Sequence, residues 1–143
     1  MTDSKRDAFL AGERHEDVAF YLAEDAVDDL GKLRDYGVDV PDGIVIVVDG
    51  ENGRNAFQTA TGQDPMAFAK QAMAEDGTVH ADLAGGDCPE GDGPDHAARF
   101  VFAFSEEQNE EVGDLYAEGD VIHAYAQCEC GTAYSQKWVV GER

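Results

Sequence analysis

Residues 121–140 read VIHAYAQCECGTAYSQKWVV. Val121 to Cys128 and Thr132 to Val140 read as two strands. Glu129-Cys130-Gly131 between them reads as the turn of a β-hairpin. Working outward, Arg99 to Phe104 (RFVFAF) reads as a buried strand with Phe100, Phe102 and Phe104 on one face. Ile44 to Val48 (IVIVV) is β-branched and apolar throughout, as in a central strand covered on both sides.

The segments around these strands complete the expectation. Val18, Ala19, Leu22, Ala26, Val27, Leu30 and Leu33 recur at spacings of three and four, which predicts a helix. Lys32 and Arg34 suit its last turn, and Gly37 suits its end. A shorter helix is expected from Asp3 to Ala11, stopped by Gly12, and a turn at Pro41-Asp42-Gly43. Asn52-Gly53 predicts a hairpin returning along Asn55 to Ala60 with Phe57 inward, a helix being the alternative. Asp64-Pro65 opens a helix whose apolar face is Met66, Ala69, Ala72 and Met73. Gly85 to Asp95 (GGDCPEGDGPD) reads as an exposed loop, and Ser105 with Gln108 as a capping box opening a helix that runs to Ala117.

Together these segments predict the α+β class: a single domain over residues 1–143, with one mixed sheet of about five strands, helices packed on it, and the cysteine-bearing hairpin at its C-terminal end. Hydrophobic residues make up 43% of the 143, enough for an ordinary core.

Charge is the strongest compositional signal. Asp and Glu number 31 against 10 Lys and Arg, a formal charge of −21. So much like charge strains a compact chain in dilute buffer, whereas at about 1 M salt the Debye length is only about 3 Å. The acids are spread between apolar runs, unlike a disordered acidic tract or a blocked polyanion mimic. They read as a halophilic shell that holds water and solvent cations such as potassium (K+). Ile44 to Val48, the longest apolar run, is too short to span a membrane. The N-terminal stretch lacks a signal-peptide core, and three cysteines make no secreted disulfide framework, so a cytoplasmic protein is expected. No basic patch is visible, but phosphate attraction fades in salt and leaves nucleic-acid contact open.

Three stretches carry a resemblance. Residues 95–143 (DHAARFVFAFSEEQNEEVGDLYAEGDVIHAYAQCECGTAYSQKWVVGER), 5–37 (KRDAFLAGERHEDVAFYLAEDAVDDLGKLRDYG) and 43–57 (GIVIVVDGENGRNAF) resemble a small family of haloarchaeal proteins of unknown function. The resemblance implies a haloarchaeal origin and a compact stand-alone domain, and it brings no activity, ligand or catalytic residue with it.

The chemistry concentrates in Cys128-Glu129-Cys130-Gly131, which has three readings. As a zinc site, Cys128 and Cys130 offer one edge of a tetrahedron, Cys88 a third ligand from its loop, and His96, just past that loop, the best fourth. His80 and His123 are weaker candidates, and one residue between cysteines is shorter than the usual zinc spacing. As a redox pair the thiols need a lowered pKa, which neighbouring Glu129 opposes. As structural thiols, Cys128 shares strand parity with Ile122, Ala124 and Ala126 and belongs to the core.

Other motifs fail. His80-Ala81-Asp82 and Cys88-Pro89 have the wrong acid and order for a zinc deaminase. The run from Asp49 lacks the glycine and glutamate of a calcium loop and the Lys-Ser/Thr ending of a phosphate loop. Asp87, Glu90, Asp92 and Asp95 gather acid in one loop, which reads as a solvated surface. Tyr125, Tyr134 and Trp138 suit cross-strand packing on the hairpin, or a protein-partner surface if exposed together. The expected function is a non-enzymatic accessory or interaction module with a zinc site; thiol-redox chemistry and association with nucleic acid or ribosomes are the alternatives.

Overall fold

The computed structural model describes residues 3–13, 16–24, 37–40, 43–80, 83–91, 96–108, 111 and 115–140. Its centre is a six-stranded sheet of β1 (Asp17–Ala23), β2 (Gly37–Val40), β3 (Gly43–Asp49), β6 (Ala98–Glu106), β7 (Val121–Cys128) and β8 (Ala133–Val139), in the order β2-β3-β1-β6-β7-β8. Every pairing in it is antiparallel, so the expected mixed sheet is an antiparallel one. The α+β class and the cysteine-bearing C-terminal hairpin are as the sequence predicts.

Alternation along the strands divides the core in two. Phe20, Leu22, Ile44, Ile46, Phe100, Phe102 and Tyr125 face one side. Helices α2 (Gly50–Thr61) and α3 (Pro65–Ala72) cover them with Phe57, Phe68, Ala69 and Ala72. Tyr21, Val45, Val101, Ile122, Ala126, Cys128, Tyr134 and Trp138 face the other side. That side is covered by Phe9 of α1 (Asp3–Leu10) and by Val79, Leu83 and Cys88, from a segment holding the short strands β4 (Thr78–Val79) and β5 (Gly86–Asp87). Among the described residues the six-stranded sheet therefore lies between two unequal layers. Tyr125, Tyr134 and Trp138 are all buried, with Tyr125 on the face opposite the other two, so they form no shared surface.

Two elements differ in kind from the sequence reading. Val18, Ala19 and Leu22 lie in β1, not in a helix. Val18 to Leu22 is apolar at every position and no residue of it exceeds 4% exposure, so it has no polar face to turn to water. A strand hydrogen-bonded between β3 and β6 buries both faces at once. The remainder of that predicted helix, with Ala26, Val27, Leu30, Lys32, Leu33 and Arg34, lies outside the described residues; Gly37 opens β2.

The predicted hairpin at Asn52-Gly53 is instead the first turn of α2. Asp49 caps it, its carboxylate accepting from Asn52 N at 3.2 Å and Asn52 Nδ2 at 2.8 Å. Gly53 serves close approach: a Cβ there would overlap Val18 Cγ2 of the sheet. Phe57 does point inward, and is fully buried.

Smaller differences have equally local causes. Asp64 caps α3 as expected, accepting from Ala67 N at 3.3 Å. Its buried face, however, runs through Pro65, Phe68, Ala69 and Ala72, leaving Met66 and Met73 exposed. Ser105 is buried within β6, which runs on to Glu106 where the helix was expected to open. Gln108 donates its side-chain amide to Ala117 O at 2.7 Å, within a single helical turn, α4 (Leu115–Glu118). The expected loop from Gly85 contains β5 and sends Cys88 inward; Pro41, Asp42, Asp92 and Asp95 lie outside the described residues. No helix among the described residues is long and apolar enough to cross a membrane.

Candidate metal centre

The hairpin tip supplies half of the site. Gly131 takes φ +98°, a conformation that favours glycine, and its N–H donates to Cys128 O at 2.9 Å. Cys128 N donates to Thr132 O at 2.9 Å. This tight turn leaves Cys128, the last residue of β7, fully buried, while Cys130 at the tip is exposed.

The covering segment supplies the other half. Cys88 follows β5 and is buried, and Gly91 N donates back to Cys88 O at 3.3 Å, turning the chain. The chain then returns with His96, whose neighbour Ala97 accepts at its carbonyl from Glu129 N at 2.9 Å. This main-chain bond holds the histidine segment against the hairpin tip. A Cβ on Gly91 would come 3.1 Å from His96 Nε2, so that edge of the ring lies against backbone and Nδ1 is turned to the cysteines.

The four sequence candidates therefore meet. One ligand atom from each of Cys88, His96, Cys128 and Cys130 lies within 4.8 Å of the others. Cys88 Sγ is 3.8 Å from Cys130 Sγ, and Cys128 Sγ is 3.6 Å from His96 Nδ1. Tetrahedral zinc, with bonds of about 2.3 Å to sulfur and about 2.0 to 2.1 Å to nitrogen, has edges of about 3.8 Å between sulfurs and about 3.6 Å from sulfur to nitrogen. Both distances match those edges. His80 and His123 are elsewhere: His80 Nε2 pairs with Asp87 at 3.3 Å, and His123 Nε2 with Glu106 at 3.1 Å.

Backbone amides face two of the sulfurs. Glu90 N donates to Cys88 Sγ at 3.4 Å and Cys130 N to Cys128 Sγ at 3.5 Å, each from two residues further on. Such donors favour the thiolate, the form that binds metal. The two hairpin thiols are shifted in opposite directions. Burial pushes Cys128 up to about 12. Thr132, with its hydroxyl 3.4 Å from Cys130 Sγ and with its backbone, draws Cys130 down to about 6. The sequence reading had Glu129 opposing a thiolate here, but its side chain is exposed and Thr132 governs the thiol. A divalent cation placed among these groups would favour the Cys128 thiolate against the burial that keeps it protonated.

Thr132 and Gly91 escape sequence reasoning. Only the turn register, two residues beyond Cys130, marks Thr132 in advance, and nothing local marks Gly91 as the wall behind His96.

The model of a family of unknown function, DUF5807, matches residues 37–141. The chain belongs to DUF5807. The DUF5807 span contains all four clustered residues, whereas β1, which lies between β3 and β6 in the sheet, precedes it. No curated protein and no solved structure matches the chain.

Proposed function

We propose that this protein is a non-enzymatic accessory or interaction module, held in its working shape by one structural zinc ion on Cys88, His96, Cys128 and Cys130. The observation that carries the reading is the convergence of the four donor atoms within 4.8 Å, with two separations at the edge lengths of a zinc tetrahedron. Four protein donors complete a tetrahedron and leave no open position for substrate or an activated water, which separates a structural from a catalytic site. The location supports this. The segment around β5 has strands of only two residues, and a metal would clamp it to the hairpin tip from both ends. The acidic excess fits a haloarchaeal cytoplasm, as the resemblance implies.

Elemental analysis of protein purified in molar potassium chloride tests this. One zinc per chain is expected, falling at least tenfold in affinity in Cys130→Ser, whose exposed side chain the fold does not need. A fully folded wild type that takes up no zinc overturns the reading.

One observation favours a second reading. Cys88 and Cys130 have sulfurs 3.8 Å apart, and Cys130 is exposed with its thiol lowered to about 6. These are conditions for reversible disulfide formation with a peroxide as electron acceptor. A mass loss of two hydrogens mapped to the Cys88 and Cys130 peptides, in protein that never holds zinc, would select it.

A further inference from the structure

The four donors of the metal centre are unequally placed. Cys88 and Cys128 are buried and His96 is half-buried, while Cys130 alone of the four is exposed. A Cβ on Gly131 would meet nothing within 4 Å, so the turn that carries Cys130 stands in open space. A small molecule arriving from solvent therefore meets the Cys130 sulfur first.

A sulfur from far along the chain stands beside it. Cys88 Sγ is 3.8 Å from Cys130 Sγ, although 42 residues separate the two. A disulfide bond of about 2.05 Å asks these sulfurs to close by about 1.8 Å, within the swing of an exposed side chain on an open turn. A bond between Cys130 and Cys128 would instead close a small ring through Glu129, onto a fully buried residue.

We propose that the zinc-loaded centre is an oxidation site: a hydroperoxide converts Cys130 and Cys88 to a disulfide, and the zinc ion is expelled. This rests on the zinc reading above, and it makes metal and disulfide two states of one site. Zinc holds both cysteines as thiolates, the form that attacks a peroxide. The Cys130 sulfur takes one peroxide oxygen, the O–O bond breaks, and hydroxide leaves to become water with a solvent proton. The Cys88 thiolate then attacks the resulting sulfenic acid, forming the S–S bond and breaking the S–O bond. A second hydroxide leaves and is protonated to water. The two thiolates lose two electrons and the peroxide gains them. Only Cys128 and His96 remain as donors, and two ligands do not hold zinc in a four-ligand structural site. The Cys88 end of the covering segment stays tied to the hairpin by the new bond. The His96 end keeps only the main-chain bond from Glu129 N to Ala97 O.

The test uses the zinc-loaded full chain in molar potassium chloride, treated with hydrogen peroxide. Released zinc is followed with a chromophoric chelator, and unreduced peptides are mapped by tandem mass spectrometry. The expected result is one zinc released per disulfide formed, a link between Cys88 and Cys130, and zinc binding restored by dithiothreitol. In Cys130→Ser, loaded at saturating zinc, release above the peroxide-free rate should be slower by about tenfold or more. Zinc retained under peroxide overturns the proposal, as does release accompanied by a Cys128–Cys130 link or by sulfinic acid that dithiothreitol does not reverse. Equal release from wild type and Cys130→Ser also overturns it. Each of these outcomes leaves the zinc site standing. A wild type that binds no zinc removes the zinc reading itself, and this inference with it.

Discussion

Cys128 and Cys130 are two residues apart and chemically opposite. Burial dominates the first and raises its thiol to about 12; hydrogen bonding with Thr132 dominates the second and lowers it to about 6. In metal-free protein, alkylation of Cys130 by iodoacetamide should rise through about pH 6, while Cys128 stays unlabelled across roughly pH 5 to 9. The sign follows from which form each environment favours: donors to sulfur stabilise the thiolate, and an apolar surround penalises it. Thr132→Val should therefore move the Cys130 profile up toward an ordinary thiol value of about 8.5. Peptide mass spectrometry of labelling against pH reads both; identical profiles for wild type and Thr132→Val would refute the assignment. None of this is legible locally, because Cys-Glu-Cys alone points to the adjacent carboxylate as the perturbing group.

At the scale of the element, α2 shows what anchors a helix to this sheet. Phe57 is its one large buried side chain, with ring centroids 6.0, 5.8, 5.4 and 5.1 Å from those of Phe20, Phe68, Phe100 and Phe102. Phe57→Ala should cost about 3 to 5 kcal/mol, since four packed rings cannot close the cavity. Urea unfolding in molar salt followed by circular dichroism measures it; a loss below about 1 kcal/mol would show that α2 is not docked through this residue. Asn52-Gly53 misleads at this scale because the same pair serves two purposes. In a hairpin the glycine supplies positive φ, whereas here its missing side chain lets the first turn of α2 press onto Val18. The two readings differ only in what lies opposite.

For the whole molecule, Asp17 and Ser105 are the buried polar residues among those described, so the remaining described carboxylates lie at or near the surface. The described carboxylates are then a shell around an apolar interior, in a chain of formal charge −21. Lowering potassium chloride from molar to about 0.01 M lengthens the Debye length to about 30 Å and lets the shell repel itself. The melting temperature should fall steadily over that dilution, and in the most dilute buffer native circular dichroism should be reduced. A melting temperature that ignores salt would contradict the halophilic account. Zinc should blunt the loss, because binding to the native state alone stabilises it.

The amino-acid order settled the α+β class, the strands at Ile44 to Val48 and Arg99 to Phe104, the C-terminal hairpin, and the four candidate ligands. Each rests on a local pattern: an apolar run, a turn, or a residue type with metal chemistry. Tertiary structure decided what depends on distant neighbours. Whether Val18 to Leu22 coils or extends is set by two strands that offer it hydrogen bonds on both edges. Whether Cys88 and His96 reach Cys130 and Cys128, 42 and 32 residues further along the chain, is set by a covering segment that packs Val79 and Leu83 against the sheet face carrying Tyr134. A sequence pattern encodes the period of an element and the chemistry of a side chain, but contact across such separations arises only when packing makes the whole arrangement favourable.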